Sequence, residues 1–373
     1  VGTSCAIGRA RPGLSAIAIA IAIAIAIVIA DADGAERSSR SACGRHAWQD
    51  RSDTRCPGAA STTRKPLPMP RTRLTPSSPL VTAAAACLAL CLPAAGRAAT
   101  DKLALTGGVS SIEGAAGGGL TPWAVIGSNA TAGQWGASVF ATAVRTQDHR
   151  LAVGGVAVGW NERVEFSLAR QRFDTGGTGT AMGLPGLVLQ QDVVAAKWRV
   201  SGDAVLDSDR WAPALALGVQ FKAVDAGGLR PTLDALGAHT HGMDLTMSAT
   251  KLLLARGLLV NATLRATRAN QAGLLGFGGS AHSGYTLQPE LSLAWLLNRR
   301  LALGAEWRSK PDRLNPSLLG EGLKEDRWLD VFVAWAPCPH ASLTAAWVDL
   351  GRIVPAVQGQ RQTGAYLSAQ LAF

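Results

Sequence analysis

Few side chains in this sequence could perform chemistry, and the best candidate for a catalytic pair is His340 with Ser342. Residues two apart on a strand share a face, so a base and a nucleophile could meet there. If the alternating segments of this sequence form an outer-membrane barrel, their order puts this pair at the periplasmic end, whereas hydrolysis of outer-leaflet lipid needs the opposite end. We therefore predict a turn histidine, a luminal serine and no catalytic residue.

A second pair, His239 and His241, falls in a predicted long loop and could present two imidazoles to a metal ion. The nearest carboxylates in sequence are Asp234 and Asp244, and no cysteine lies close, so a structural or catalytic zinc set is incomplete. We predict a solvated loop, no metal site and no cofactor.

A larger set of charged and polar residues recurs inside predicted strands. Strand side chains alternate between two faces, so these residues are expected to project into the lumen of a barrel. Charges of both signs either line a narrow hydrated pore or pair with one another to close it, and the sequence leaves both possibilities open. The predicted luminal residues are Glu165, Asp192, Lys197, Arg199, Gln220, Lys222, Asp244, Arg265, Glu290, Glu306, Arg308 and Asp330.

Strands are the elements that must position these side chains. In the segment 162–173, Val164, Phe166 and Leu168 share one face while polar residues occupy the other. The same alternation recurs along the chain, and no run after residue 99 approaches 18 apolar residues. We predict twelve strands, near 134–145, 150–160, 162–173, 190–200, 211–222, 243–254, 258–267, 287–297, 301–308, 327–336, 340–348 and 364–373.

The connections between these strands alternate between short and long, which is typical of an antiparallel transmembrane barrel with short periplasmic turns and long external loops. Tryptophans fall at predicted strand ends, where amphipathic rings favour the headgroup level: Trp160 and Trp295 at the periplasmic end, Trp328 and Trp347 at the external end. The chain ends on Phe373 after alternating apolar residues, which predicts a terminal strand that the barrel-insertion machinery recognises. Both termini of the barrel are expected on the periplasmic side.

The first 98 residues differ from the rest. Residues 1–68 combine an Ala-Ile repeat with an Arg-, Ser- and Pro-rich stretch typical of disorder, and Met69 is the first methionine, so we predict a low-complexity extension that is not translated. Residues 69–98 have the basic, apolar and small-residue regions of a signal peptide, predicting a mature chain that begins near Ala99. Residues 99–133 are predicted to form a periplasmic or plug segment, and 134–373 the barrel.

The overall charge of +10 is concentrated before the predicted cleavage site. Beyond residue 98 the chain contains 24 Lys and Arg against 21 Asp and Glu, a net charge of +3. This balance gives no basic face for nucleic acid, and no nucleic-acid partner is expected.

Arg170 and Arg172 continue the lipid-facing register of Phe166 and Leu168 at the external end of their strand. Arginine costs about 2 to 4 kcal/mol at the bilayer midplane and roughly 0 to 1 near the interface, so both are expected at the rim. There their guanidinium groups could bind lipopolysaccharide phosphates. The alternative is a bulge that turns one of them inward to pair with Glu165 or Asp192.

Several segments also resemble one known family. They are LTGGVSSIEGAAGGGLTPWAVIG (105–127), RVEFSLARQRFDT (163–175), LLVNATLRATRANQAGLLGFGG (258–279), DVFVAWAP (330–337) and YLSAQLAF (366–373). Over residues 101–373 the chain resembles a proteobacterial family of outer-membrane proteins, domain of unknown function 3034. The resemblance implies a barrel fold and an outer-membrane location, and it transfers no catalytic or binding residue.

Together these features predict an outer-membrane barrel of a Gram-negative bacterium that acts as a passive channel for small polar or charged solutes. The expected partners are outer-membrane lipids, lipopolysaccharide, the barrel-insertion machinery and a small solute. A barrel enzyme that hydrolyses lipid or peptide, and a structural or receptor barrel with a closed lumen, stay open as alternatives.

Overall fold

The structure, a computed structural model, describes residues 105, 107–204, 207, 210–314 and 321–373. The predicted extension 1–68, the signal peptide 69–98 and the start near Ala99 lie outside the described residues. Among the described residues no helix is long and apolar enough to cross a membrane.

The alternating segments form twelve antiparallel strands that close into one barrel, which confirms the predicted fold. Each strand pairs with its neighbours in sequence, and the last strand pairs with the first to complete the cylinder. The barrel strands are β3 (Trp135–Thr146), β4 (Arg150–Trp160), β5 (Val164–Asp174), β6 (Val188–Ser201), β7 (Ala214–Asp225), β8 (His241–Leu253), β9 (Leu258–Thr267), β10 (Thr286–Asn298), β11 (Leu301–Arg308), β12 (Trp328–Cys338), β13 (Ala341–Asp349) and β14 (Thr363–Ala372).

A separate two-stranded hairpin, β1 (Val109–Ser110) with β2 (Ala116–Gly117), precedes the barrel. Two short helices, α1 (Gly176–Ala181) and α2 (Arg230–Ala235), lie in long loops. Single turns of 3-10 helix occur at Gly227–Leu229, Leu254–Arg256, Asn270–Gly273 and Glu321–Leu323.

The connections alternate in length as predicted, with two exceptions: 202–213 is long for the end that carries the short turns, and 147–149 is short for the end that carries the long loops. One end of the barrel, the short-turn end, carries the turns 161–163, 202–213, 254–257, 299–300 and 339–340 together with both ends of the barrel sequence. The other end, the long-loop end, carries 147–149, 175–187, 226–240, 268–285, 309–327 and 350–362. Five of the six long connections therefore lie at one end of the barrel.

The outer face of the barrel is apolar. Phe166, Leu168 and Met247 expose 57%, 53% and 54% of their surface, and most outward positions of the other strands are apolar as well. An apolar band that encircles a closed barrel is suited to lipid and not to water, because it would otherwise be an aggregation surface. The structure is thus that of a membrane-spanning barrel.

The four tryptophans predicted at strand ends, Trp160, Trp295, Trp328 and Trp347, lie at or near strand ends, and three of them face outward. Trp160 and Trp295 are exposed at the short-turn end and Trp347 at the long-loop end, as expected for interfacial rings. The prediction was wrong for Trp328, which is 4% exposed and points inward. The reason is strand parity, since Trp328 shares its face with the inward Asp330.

Pro289 lies within β10, where a missing N–H would normally break a ladder. On the β11 side the pairing begins only at Glu290 with Arg308, so Pro289 stands just beyond the ladder of the shorter strand. Its carbonyl still accepts a hydrogen bond of 3.1 Å from the Ser309 amide. The proline is tolerated because the N–H it lacks has no ladder partner there.

Candidate functional site

Most of the predicted luminal residues are buried inside the barrel. Glu165, Lys197, Arg199, Gln220, Lys222, Asp244, Arg265, Glu290, Glu306, Arg308 and Asp330 are each at most 7% exposed. Asp192 requires a correction, because the structure places it on the outer face of β6 with a half-exposed side chain. Lys197 and Arg199 occupy odd positions of the same strand, so an even position has to face outward.

The lumen is filled by the plug segment, defined here as residues 107–130. Residues 109–128 are all buried. Its hairpin pairs only with itself, and among the described residues its backbone-to-backbone hydrogen bonds, such as Ile112 N to Gly119 O at 3.0 Å, join it to no barrel strand. The plug segment therefore contributes no strand to the barrel wall.

Wall side chains bind the backbone of the plug segment directly. The Glu165 carboxylate accepts hydrogen bonds from Ala116 N at 2.9 Å and Gly127 N at 2.7 Å. Lys197 Nζ donates to Ala116 O at 2.8 Å and lies 3.1 Å from Glu165. One buried ion pair of the wall thus satisfies three peptide groups of the plug.

A second buried carboxylate, Glu306, holds the middle of the plug segment. It accepts a hydrogen bond from Leu120 N at 2.7 Å and another from the Thr121 hydroxyl. The Thr121 hydroxyl also lies 2.5 Å from the Ser292 hydroxyl on the wall. Asp330 follows on the next strand, where its Oδ1 accepts a hydrogen bond of 3.1 Å from Glu306 N.

Three wall cations converge on Glu113 of the plug segment. Lys222 Nζ lies 2.6 Å and Arg308 Nη2 2.8 Å from Glu113 Oε1, and Arg265 Nη2 lies 3.0 Å from Oε2. The Arg265 contact lacks hydrogen-bond geometry, so Oε2 is held by charge alone. The cations come from three strands, β7, β9 and β11, that the barrel closure brings together.

Two wall carboxylates complete this group, named here the ion cluster: Glu113, Lys222, Asp244, Arg265, Glu290 and Arg308. Asp244 Oδ2 lies 2.7 Å from Lys222 Nζ and 3.2 Å from Arg265 Nη1. Glu290 Oε1 lies 2.5 Å from Arg265 Nε and 3.2 Å from Arg308 Nε. The predicted charges therefore pair with one another, and they do so together with a plug residue.

The cap loop, residues 268–278, folds inward over the ion cluster from the long-loop end. Gln271 and Ala272 adopt left-handed backbone conformations, with φ of 44° and 59°, and Gly273 follows at 106°. Such conformations cost non-glycine residues about 1 to 3 kcal/mol and persist only where the surroundings enforce them. Here the Ala272 carbonyl accepts hydrogen bonds from Lys222 Nζ at 3.3 Å and Gln191 Nε2 at 3.4 Å.

A second buried ion pair fastens the cap loop. Lys310 Nζ lies 3.2 Å from Glu325 Oε2, and Glu325 Oε1 accepts a hydrogen bond of 2.6 Å from Gln271 N. Burial lowers the pKa of Lys310, and burial raises the pKa of Glu325. The cost of burying the two charged groups therefore exceeds the attraction between them.

The apolar residues of the lumen lie on both sides of these charges. Towards the long-loop end, plug residues Ile112 and Leu120 pack in a cluster with wall residue Phe173 and loop residue Leu275. A small cavity of about 30 Å³ remains there, lined almost entirely by apolar side chains. Towards the short-turn end, Trp123 and its neighbours pack against wall residues such as Leu252, Leu259 and Phe332. Among the described residues, plug, wall and loop side chains thus pack in the lumen on both sides of the charges.

The two arginines predicted at the rim, Arg170 and Arg172, do face outward from β5. Arg170 forms a bidentate ion pair with Asp192, directly opposite on β6, with contacts of 2.6 and 2.8 Å. The β5–β6 register is continuous, so no bulge turns either arginine inward.

The C-terminal Phe373 joins the first and last strands. Its amide donates to Ala137 O at 2.8 Å and its carbonyl accepts from Ala137 N at 3.0 Å. The ring of Phe373 stacks on His340 with centroids 5.8 Å apart. His340 Nδ1 contacts Ala372 O at 3.0 Å, and among the described residues no hydrogen bond joins His340 to Ser342.

The structure brings His239 and His241 to a ring-centroid distance of 6.4 Å. Within the described part of the chain, no group of three or more potential ligands is placed to bind a metal ion.

Sequence reasoning missed Glu113, Lys310 and Glu325. Glu113 had one usable signal, because it is the only charged residue between 107 and 130. Lys310 and Glu325 lie in a long loop without periodicity, so nothing in the sequence indicated that they are buried.

Comparison with solved structures finds bacterial outer-membrane proteins. The NanC porin is 7% identical over 64% of this chain and 100% of its own, with a TM-score of 0.41, and the KdgM porin is 8% identical over 63% and 99%, with a TM-score of 0.38. An outer-membrane channel from Pseudomonas putida F1 is 12% identical over 66% of this chain and 97% of its own, with a TM-score of 0.40. These likenesses are too distant to carry an argument about function.

Comparison with curated proteins finds no match. The family described as "Protein of unknown function (DUF3034)" matches residues 106–370, which is most of the chain and nearly all of the described part. The match includes the plug segment as well as the barrel. The chain therefore belongs to the DUF3034 family.

Proposed function

We propose that this protein is a gated passive channel in the outer membrane of a Gram-negative bacterium, closed at rest by its plug segment and open to small polar or charged solutes when that segment moves. The observation that carries the proposal is that the plug segment shares no backbone ladder with the wall. It can leave the lumen without breaking a strand pair. The long-loop end is then the external end and the short-turn end the periplasmic one.

The polar character of the contacts supports the same proposal. A lumen that only needed filling could be packed with apolar residues, and such packing is often as stable as buried ion pairs. The wall instead presents Glu165, Lys197, Glu306 and the five wall residues of the ion cluster to the plug segment. These side chains would become the lining of an open pore.

A disulfide lock tests the proposal. Thr121 and Ser292 have hydroxyl oxygens 2.5 Å apart, so cysteines at both positions can tie the plug segment to β10. In planar bilayers we expect voltage-dependent openings of the wild type and of the reduced Thr121→Cys/Ser292→Cys variant. Oxidation should abolish them, and dithiothreitol should restore them. The two single-cysteine variants are the controls and should conduct under both conditions.

The second candidate is a structural or receptor barrel that never conducts. The apolar cluster and the inward-folded cap loop favour it, because together they fill the external end. Absence of current from inserted wild-type and reduced barrels at every voltage would decide for this candidate. Enzymatic activity is not expected, since His340 is engaged by Ala372 O, and hydrolysis of lipid or peptide by the purified barrel would contradict that expectation.

A further inference from the structure

The charge balance of the ion cluster depends on the plug segment. The wall supplies three cations, Lys222, Arg265 and Arg308, and two carboxylates, Asp244 and Glu290. Glu113 supplies the third carboxylate. When the plug segment leaves, the wall retains one positive charge in excess at a position formed to hold a carboxylate.

We propose that the position occupied by the Glu113 carboxylate is a binding site for a free monocarboxylate, and that it selects small organic anions in the open channel. The selectivity part rests on the proposed function, whereas the binding part does not. Two charge-assisted hydrogen bonds, from Lys222 and Arg308, together with the charge of Arg265 give such a site both affinity and shape. Glu113 acts in the closed state as a tethered substitute for the solute.

The geometry favours a carboxylate over a more highly charged anion. One oxygen of Glu113 is bound by two donors, at 2.6 and 2.8 Å, and the other lies 3.0 Å from Arg265 Nη2. That arrangement fits a planar group with two oxygens and one negative charge. The Ala272 carbonyl, which lies 3.3 Å from Lys222 Nζ, would repel a third anionic oxygen.

Glu306 and Asp330 are the carboxylates that could oppose an anion near this site. Among the described residues neither forms an ion pair with Lys222, Arg265 or Arg308. With the plug segment in place, Glu306 is engaged instead by Leu120 N and the Thr121 hydroxyl. In the open channel Glu306 and Asp330 would line the path beside the site, whose three cations keep Asp244 and Glu290 as their partners.

Chemical rescue provides the test. The Glu113→Ala variant of the full barrel removes the tethered carboxylate and leaves room for a free one. We expect sodium acetate to raise its unfolding temperature in detergent in a saturable manner, because a ligand that binds only the folded state stabilises it by mass action. Acetamide, which has the same shape without the charge, and sodium chloride should have no such effect.

The matched control is Glu113→Gln, whose amide fills the same volume and leaves no room for acetate. It and the wild type should show no acetate response. Equal stabilisation of Glu113→Ala by acetamide or chloride, or of Glu113→Gln by acetate, would overturn the proposal. So would a Glu113→Ala barrel that folds neither with nor without acetate, because a free carboxylate would then fail to replace Glu113.

A reversal-potential measurement separates this site from the proposed function. In a sodium acetate gradient, wild-type channels should favour the anion, and Arg308→Gln should shift the reversal potential towards zero. A barrel that never conducts but shows acetate rescue would refute the channel and keep the site. A channel that conducts without anion preference, in a protein that shows no rescue, would refute the site and keep the channel.

Discussion

At the scale of single residues, burial decides what a charge does in this barrel. Glu113 and its three cations have side chains at most 3% exposed, whereas the ion pair of Arg230 with Asp234 on α2 is more than half exposed. Removing one partner of a buried pair leaves an uncompensated charge and costs about 3 to 5 kcal/mol, while exposed pairs contribute about 0 to 1 kcal/mol. Loss of one charge should therefore reduce stability much more at Glu113 than at the Arg230–Asp234 pair.

Glu113→Gln should lower the free energy of unfolding by about 3 to 5 kcal/mol. The amide has nearly the size of the carboxylate, but it leaves three buried cations without their negative partner. Urea titration of the barrel in lipid vesicles would measure this. Asp234→Asn is the control and should change stability by less than about 1 kcal/mol. Equal effects of the two substitutions would mean that the ion cluster is hydrated and not buried.

Asp326 joins two loops at the long-loop end through hydrogen bonds with Arg352, and we expect this link to depend on pH. Hydrogen bonds from Arg352 lower the pKa of Asp326 from 3.8 to about 2, and the Arg352 amide donates to Asp326 Oδ2 at 3.0 Å. A depressed carboxyl pKa gives stability that is present above pH 3.8 and lost as the pH falls from 3.8 towards 2. We expect hydrogen-exchange protection of the Arg352 amide to fall over this window. Asp326→Asn should show low protection throughout, and unchanged wild-type protection would contradict the assignment.

At the scale of elements, the strands form the wall and the cap loop covers the ion cluster. The β-ladder is continuous around the barrel and does not depend on the lumen. The cap loop adds no strand to the barrel, and Phe277 forms only isolated backbone bridges with His239 and Ala269. Its position also depends on strained residues together with side chains from the wall and from loop 309–327. Sites of stored strain are often elements that move, so the cap loop is expected to move with the plug segment.

Gly273→Ala should destabilise the cap loop for two reasons. Its φ of 106° disfavours any side chain, and an added Cβ would lie 2.1 Å from Gln191 Nε2 and 2.8 Å from the Phe277 ring. Gly186→Ala is the matched control, since Gly186 also has a positive φ but nothing within 4 Å. Protease accessibility of the cap loop should rise several-fold for Gly273→Ala and little for Gly186→Ala. A reversed order would show that the cap loop is not held as described.

The external ends of β3, β4 and β5 form a basic rim. Arg145 and Arg150 are exposed and directly opposite each other, an arrangement that like charges disfavour unless an anion lies between them. Arg172 faces outward on the next strand, and Arg170 is already paired with Asp192. We expect Arg145→Gln/Arg150→Gln/Arg172→Gln to reduce co-purified lipopolysaccharide several-fold. Arg170→Gln should have a smaller effect, and equal losses would show that the ion pair does not shield Arg170.

At the scale of the whole molecule, closure depends on the contact between the two ends of the barrel sequence. β14 pairs with β3, and the two hydrogen bonds between Phe373 and Ala137 extend that ladder to the last residue. The ring of Phe373 lies against His340 at the short-turn end. Phe373 therefore belongs to the closing seam of the barrel.

Phe373→Ala should lower the yield of heat-modifiable barrel in cells while leaving detergent refolding nearly unchanged. The two backbone hydrogen bonds persist without the ring, so the loss should fall on recognition by the insertion machinery. Leu371→Ala, two residues earlier on the same face, is the control. A parallel loss in refolding would assign Phe373 a structural role alone.

The sequence by itself determined the barrel, because a period of two residues fixes which side chains face lipid and which face inward, and alternating connections fix the direction of each strand. It also carried the information that would have corrected Asp192 and Trp328, since the predicted orientations of both contradicted the alternation of side chains along their own strands. Only the tertiary structure decided the state of the lumen. Lys222, Arg265 and Arg308 lie on separate strands, and barrel closure alone brings them within 3.0 Å of Glu113. The contacts that close the lumen join residues far apart in the chain, and no local pattern encodes them.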